Sequence, residues 1–131
     1  MDDILGELDF LVICLPLTNQ TRGMFGAEQI AQLKPGAIVV NAARESIVDY
    51  ASLIAALRQG HIAGAALDVF DKEPLQRWSR IWKEESVLVT PHVSALTKEY
   101  KAKVASLVCD NIDRLRSGRD LKCLVDRSKG Y

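Results

Sequence analysis

The chain has 131 residues, a length that suits one domain, and its 48% hydrophobic and 26% charged residues are typical of a globular protein. Its 17 basic residues balance 17 acidic ones, so we expect no nucleic-acid partner. No apolar run approaches the roughly 18 residues that span a bilayer, and the acidic N-terminus predicts no signal peptide. Three widely separated cysteines without a C-x-x-C pair indicate no metal site and fit a reducing cytoplasm.

Short apolar runs alternate with segments of helical periodicity, which favours a parallel sheet with right-handed crossovers. The first run is continuously apolar and predicts a strand buried on both faces, with Cys14 as a small buried hydrophobic residue. Asp49 is a suitable N-cap for the second helix. In chain order we predict strand Phe10–Leu15, helix Gly26–Leu33, strand Ala37–Val40, helix Tyr50–Arg58, strand Ile62–Val69, a long loop Phe70–Glu85, strand Val87–Val89 and an amphipathic helix Thr97–Arg116.

Four residues lie at or just beyond the carboxyl ends of the predicted strands: Pro16, Asn41, Asp68 and His92. Neighbouring strands are roughly 4.8 Å apart. In an open α/β sheet the ligand binds at this edge, so residues from different strands can converge on one small molecule.

Three residues near these strand ends have complementary chemistry. Arg44 in NAARES can bind a carboxylate bidentately, and the imidazole of His92 in TPH can give and take back a proton. Glu73 in LDVFDKEP can accept a hydrogen bond from the imidazole and fix its tautomer. Taken singly, these could equally be a surface arginine, a solvated loop acid and a structural Pro-His pair.

Several segments in sequence order resemble the D-isomer-specific 2-hydroxyacid dehydrogenase family. Beside the three motifs above they are LDFLVICLPLT at 8–18, LKPGA at 33–37, GAALDVF at 64–70 and the tail VDRSKGY at 125–131, which resembles the glyoxylate/hydroxypyruvate reductase branch. Agreement across nearly the whole chain is far more specific than any single motif. The resemblance implies an α/β fold: a partial Rossmann-type parallel sheet with flanking helices and a long C-terminal helix.

The resemblance also implies the roles of the site residues. Arg44, Glu73 and His92 would be catalytic in the hydride reduction of a small 2-oxo acid, or the reverse oxidation of a 2-hydroxy acid, with NAD or NADP as cofactor. The residues implied in cofactor binding are Pro16, Thr18, Asn41, Ala42, Ala43 and Asp68. For Asp68 the implied partner is the nicotinamide carboxamide, and the alternative is a helix or turn cap.

Family members are longer and carry a glycine fingerprint that this chain lacks, since it contains no G-x-G-x-x-G. We therefore expect residues 1–96 to be the C-terminal part of a dinucleotide-binding domain, and residues 97–131 to be a long helix and tail that return to a missing substrate domain. The alternative is a catalytically inactive, truncated remnant, or an assembly module of the same fold. We also expect a homodimer or other self-association, since an unpaired strand edge would be exposed.

Three positions carry separate expectations. The family usually has glycine where this chain has Glu45, which puts a negative charge beside Arg44. Trp78 and Trp82 could line the substrate mouth, or act as hydrophobic plugs or subunit contacts. His61 follows a turn glycine and is predicted to be exposed.

Overall fold

The computed structural model of the chain describes residues 2–128, so the last three residues of the tail motif lie outside the described part. The chain divides into two compact units, the first ending at Ser94 and the second beginning at Ala95. No helix in the described part is long and apolar enough to cross a membrane.

The first unit contains a parallel sheet with strand order β1-β2-β3-β4. Its strands are β1 Phe10–Ile13, β2 Ile38–Asn41, β3 Gly64–Leu67 and β4 Val87–Val89. The register aligns Ile13, Asn41, Leu67 and Val89 in one row across the sheet. The predicted α/β fold is confirmed, and all four strands end at the same edge.

The helices are α1 Asp2–Leu5, α2 Ala27–Gln32, α3 Tyr50–Arg58 and α4 Tyr100–Arg116, with 3₁₀ turns at Glu45–Ile47 and Arg80–Lys83. Helix α3 has the predicted bounds, and the Asp49 carboxylate accepts from the Ala51 N–H as its N-cap. Four residues are too few to show helical periodicity, so α1 was not predicted. The loop predicted after β3 contains the second 3₁₀ turn.

The core of the first unit lies on one face of the sheet. Buried side chains of β1 to β3 form a cluster with Ile30 of α2 and with Leu53 and Leu57 of α3. The opposite face is open at β1, where Phe10 is 62% and Val12 is 59% exposed. The prediction that β1 is buried on both faces is therefore wrong, and so is the prediction for Cys14, which is exposed. Among the described strands β1 lies at the sheet edge, and it pairs only with β2.

The second unit consists of α4 and a tail that folds back along it. The Asp110 carboxylate forms ion pairs with Arg114 at 3.1 Å and with Lys122 at 2.8 Å. The Asn111 side chain holds the backbone of Lys122 through both its amide nitrogen and its oxygen. The predicted apolar periodicity is present on α4, but its residues are exposed: Tyr100, Val104, Val108, Ile112 and Leu115.

Candidate active site at the carboxyl ends of the strands

Asn41, the last residue of β2, builds the turn that carries Arg44. Its side chain is fully buried, and its Oδ1 accepts from the Ala43 N–H at 3.1 Å. Its Nδ2 donates to the Arg44 carbonyl and to the Tyr50 hydroxyl, both at 3.1 Å. The Arg44 side chain is exposed, and its Nη1 donates to the Ala43 carbonyl at 2.7 Å. One buried amide thus shapes the whole turn, while the guanidinium lies at the surface.

Glu73 and His92 come from the loops after β3 and β4 and meet directly. His92 Nδ1 lies 2.8 Å from Glu73 Oε2, and Glu73 Oε1 accepts from the Phe70 N–H at 3.0 Å. The Phe70 N–H, the His92 ring and the nearby Arg44 guanidinium together hold the pKa of Glu73 below its usual range. Glu73 is therefore an ionised acceptor at neutral pH. The structure brings Arg44, Glu73 and His92 to one place.

Asp68, the residue after β3, anchors the segment that carries His92. Its Oδ1 accepts from Thr90 Oγ1 at 2.5 Å and from the Val93 N–H at 2.9 Å, and its Oδ2 accepts from the Ser94 N–H at 2.9 Å. Burial acts to raise the pKa of Asp68, but these hydrogen bonds outweigh it and hold the pKa well below the usual range. In the structure the Asp68 carboxylate therefore caps the backbone N–H groups of Val93 and Ser94, which is the alternative role considered for Asp68 from the sequence.

The other predicted cofactor residues lie along the same edge. Pro16 is exposed beyond β1, and its carbonyl accepts from the Thr21 hydroxyl at 2.8 Å. The same hydroxyl oxygen accepts from the Thr18 N–H, also at 2.8 Å, so the segment after β1 forms a compact turn. Ala42 is half-buried and Ala43 is buried, and both side chains are single methyl groups.

Tyr50 is a polar contact of this edge that sequence reasoning missed. It was identified only as the first residue of α3, yet its hydroxyl donates to the Val69 carbonyl at 2.9 Å and accepts from Asn41. The available signal was a tyrosine on the buried side of a helix directly after the arginine segment. A buried tyrosine hydroxyl usually needs a hydrogen-bond partner.

The remaining side chains are placed as follows. Glu45 is half-buried; burial and then the nearby Asp71 raise its pKa above the usual range. Trp78 is 78% and Trp82 is 53% exposed. His61 is half-buried, and its Nε2 atom is shielded from solvent with no hydrogen-bond partner among the described residues, so the prediction of an exposed His61 is wrong.

A parallel α/β sheet with polar side chains gathered at the carboxyl ends of its strands defines the class of Rossmann-type nucleotide-binding domains. Within that class, the chain belongs to the D-isomer specific 2-hydroxyacid dehydrogenase family. Residues 1–94 match the NAD binding domain of that family.

Relatives and solved structures agree with this assignment. The chain is 42% identical over 125 residues to glyoxylate/hydroxypyruvate reductase B of Shigella boydii serotype 4, a match that covers 95% of the chain and 39% of the relative. It also resembles a solved structure, that of a D-isomer specific 2-hydroxyacid dehydrogenase from Xanthobacter autotrophicus Py2 in complex with NADPH and MES. The TM-score is 0.90 and the identity 43%, and the match covers 99% of the chain and 53% of that protein.

A third similar protein is the NADPH-dependent glyoxylate/hydroxypyruvate reductase of Sinorhizobium meliloti in complex with NADP and sulfate, with a TM-score of 0.90 and 40% identity. That match covers 99% of the chain and 42% of the reductase. The chain thus spans well under two thirds of the length of these proteins. The predicted family, fold and nicotinamide dinucleotide cofactor are confirmed.

Proposed function

We propose that this chain carries the catalytic residues of an NAD(P)-dependent reductase of small 2-oxo acids of the glyoxylate or hydroxypyruvate type. These residues lie at the carboxyl ends of the strands. The observation that carries the proposal is the 2.8 Å contact between His92 Nδ1 and Glu73 Oε2 beside the Arg44 guanidinium. The two similar reductases named for these acids, at 42% and 40% identity, support the same substrate class.

In this proposal Arg44 binds the substrate carboxylate, because its planar guanidinium matches a carboxylate with two parallel hydrogen bonds. His92 gives a proton to the keto oxygen. A protonated imidazole carries a proton on both nitrogens, so Nδ1 stays bonded to Glu73 while Nε2 faces the substrate. Glu73 fixes this orientation of the ring, and in the reverse direction Nε2 takes the proton back.

The residues along the edge fit a nicotinamide cofactor. When bound, the reduced cofactor supplies the hydride that reaches the keto carbon. Ala42 and Ala43 carry only methyl groups and allow the backbone after β2 to approach the nicotinamide closely. Asp68 is held ionised and can accept from a carboxamide N–H. We assign the cofactor-facing edge to Pro16, Thr18, Asn41, Ala42, Ala43 and Asp68.

We also propose that the protein works as a homodimer in the cytoplasm. Support for self-association comes from the apolar side chains that remain exposed, among them Phe10 and Val12 of β1 and Ile112 of α4. Support for the cytoplasm comes from the three cysteines, which are all exposed and unpaired, as expected in a reducing compartment.

Steady-state kinetics test the assigned roles in the natural gene product that contains this chain, with glyoxylate or hydroxypyruvate and NADH or NADPH. His92→Asn should mainly lower kcat, by about 10²–10⁴-fold, the usual scale for general acid–base catalysis. Arg44→Ala should raise KM and lower kcat together, because the carboxylate loses its partner. Asp113→Asn on the exposed surface of α4 serves as the control. Near-native turnover in both site variants would refute the proposed active site.

A further inference from the structure

Tyr50 links the two loops that carry the proposed catalytic residues. Its hydroxyl donates to the Val69 carbonyl at 2.9 Å and accepts from Asn41 Nδ2 at 3.1 Å. Asn41 in turn holds the Arg44 turn, and Phe70, which follows Val69, donates its N–H to Glu73. This buried hydroxyl thus joins the Asn41 side chain, which shapes the turn after β2, to the backbone after β3.

The tyrosine ring holds this hydroxyl in place. Tyr50 is buried and packs edge-on against Phe70, with ring centroids 6.3 Å apart and an interplanar angle of 76°. Burial raises the pKa of Tyr50 well above its usual range, so the phenol stays neutral and keeps its proton over any ordinary assay pH. It therefore remains a hydrogen-bond donor to Val69.

At the base of the two loops the Asp68 N–H donates to the Asn41 carbonyl at 3.1 Å, and the Tyr50 hydroxyl adds a second link further out. The Arg44 and Glu73 side chains are exposed at the surface, whereas Ala43, Val69 and Phe70 are buried beneath them. Surface loops move more than the elements they connect. A small displacement of a binding group away from its productive position weakens catalysis strongly. The buried hydrogen bonds of Tyr50, which link the two loops, therefore help to fix the distance from Arg44 to Glu73 and His92.

We infer that Tyr50 is a positioning residue that sets the Arg44 guanidinium relative to the Glu73–His92 pair through its hydrogen bonds to Asn41 and Val69. This inference rests on the proposed function, since it presumes that Arg44 binds the substrate carboxylate. Tyr50 itself lies below the site and touches neither substrate nor cofactor in this scheme.

The test uses Tyr50→Phe in the natural gene product, because phenylalanine keeps the ring and its packing on Phe70 and removes only the hydroxyl. Tyr100→Phe, at a half-exposed tyrosine of α4, is the matched control. We expect Tyr50→Phe to raise the KM for glyoxylate about fivefold, the scale of one lost hydrogen bond. The Kd for NADPH should stay within about twofold, and Tyr100→Phe should match the parent protein in both quantities.

The same substitution in an Arg44→Ala background separates positioning from general support of the fold. If Tyr50 acts through Arg44, Tyr50→Phe adds nothing to the KM of the Arg44→Ala protein. An equal rise of KM in the parent and the Arg44→Ala backgrounds would show a purely structural role and overturn the inference. A Kd for NADPH that rises as much as the KM would do the same. All assays are run below the melting temperature of each variant, so that destabilisation is not read as misplacement.

The failures of the two proposals are distinguishable. An unchanged KM in Tyr50→Phe, together with a raised KM in Arg44→Ala, overturns the role of Tyr50 and leaves the proposed function standing. An unchanged KM in Arg44→Ala refutes the carboxylate-binding role, and the inference about Tyr50 falls with it.

Discussion

Asp68 holds His92 in a backbone conformation that few residues other than glycine adopt. The φ of His92 is 55°, in the left-handed region. Its N–H donates to the Asp68 carbonyl at 2.8 Å, and the next two N–H groups donate to the Asp68 carboxylate. A strained backbone conformation of this kind persists only where several surrounding contacts stabilise it, and it is often found at functional sites. The backbone carbonyl and the buried carboxylate of Asp68 together supply those contacts.

Asp68→Asn should destabilise the protein by about 1–3 kcal/mol at pH 7, since an amide cannot accept all of these hydrogen bonds. The pKa of Asp68 is lowered by folding, so its contribution to stability is present above the usual aspartate pKa of about 3.9 and is lost as pH falls toward the folded-state value. Urea unfolding at a series of pH values measures this dependence.

The parent protein should therefore lose stability below about pH 4, while Asp68→Asn should be less stable at neutral pH and less sensitive to acid. Asp71→Asn, which changes an exposed carboxylate three residues further on, is the matched control and should stay close to the parent curve. A parent-like stability of Asp68→Asn at pH 7 would contradict the anchoring role.

At the scale of secondary structure, the segment between β2 and α3 is held from two sides. The Gly23 N–H donates to the Ser46 carbonyl at 2.8 Å, and the Phe25 N–H donates to the Ile47 carbonyl at 3.0 Å. On the other side the segment leads into the capped start of α3 at Asp49. The 3₁₀ turn that follows Arg44 is therefore fixed before any ligand binds.

Asp49→Ala should lower the free energy of unfolding by about 0.5–2 kcal/mol, because α3 loses the side-chain acceptor at its N-terminus. Ser52→Ala is the matched control: it removes the Ser52 hydroxyl, which donates to Asp49 Oδ2 at 2.6 Å, and leaves the backbone cap in place. Thermal unfolding, monitored by circular dichroism, should give Asp49→Ala a lower melting temperature than Ser52→Ala. Equal destabilisation by the two variants would show that the side-chain pair, and not the cap, stabilises α3.

At the scale of the whole molecule, both compact units expose apolar surface. On α4 the exposed residues Val104, Val108, Ile112 and Leu115 lie within one stripe, since they recur at three- and four-residue spacing. Contiguous exposed apolar patches usually mark an interaction site. The apparent mass in light scattering should therefore rise with concentration for the 131-residue chain.

The double substitution Val108→Lys with Ile112→Lys should reduce that rise, because it places two charges in the stripe. The control is Ala102→Lys with Ser106→Lys, which adds the same charge at exposed positions on the opposite side of the helix. A constant monomer mass of the parent chain over the whole concentration series would rule out self-association.

Dinucleotide binding by the isolated 131-residue chain should be weak, and we expect no measurable reduction of glyoxylate or hydroxypyruvate. The sequence contains no G-x-G-x-x-G, so it lacks the helix N-terminus that cradles a pyrophosphate in this class of fold. Isothermal titration with NADPH and an activity assay on a sequence-verified sample provide the measurement. Turnover of either acid by this sample would show that the site works without the glycine loop.

The sequence by itself determined the features that depend on local order along the chain. The bounds of α3 and β4 were predicted correctly because a cap, a helical spacing and a short apolar run are local signals. The family was predictable because several motifs keep their order and spacing. The same motifs named Arg44, Glu73 and His92, although their catalytic roles remain predictions.

Only the tertiary structure decided the features that depend on what surrounds a residue. An apolar run does not reveal which neighbours its strand will have, so the open face of β1 and the exposure of Cys14 were not foreseen. The tether from Tyr50 to Val69 joins residues 19 positions apart, and the contacts of Asp68 with Val93 and Ser94 span 25 and 26 positions. Hydrogen bonds of this kind arise only after the sheet has brought distant loops to one edge, and no local pattern encodes them.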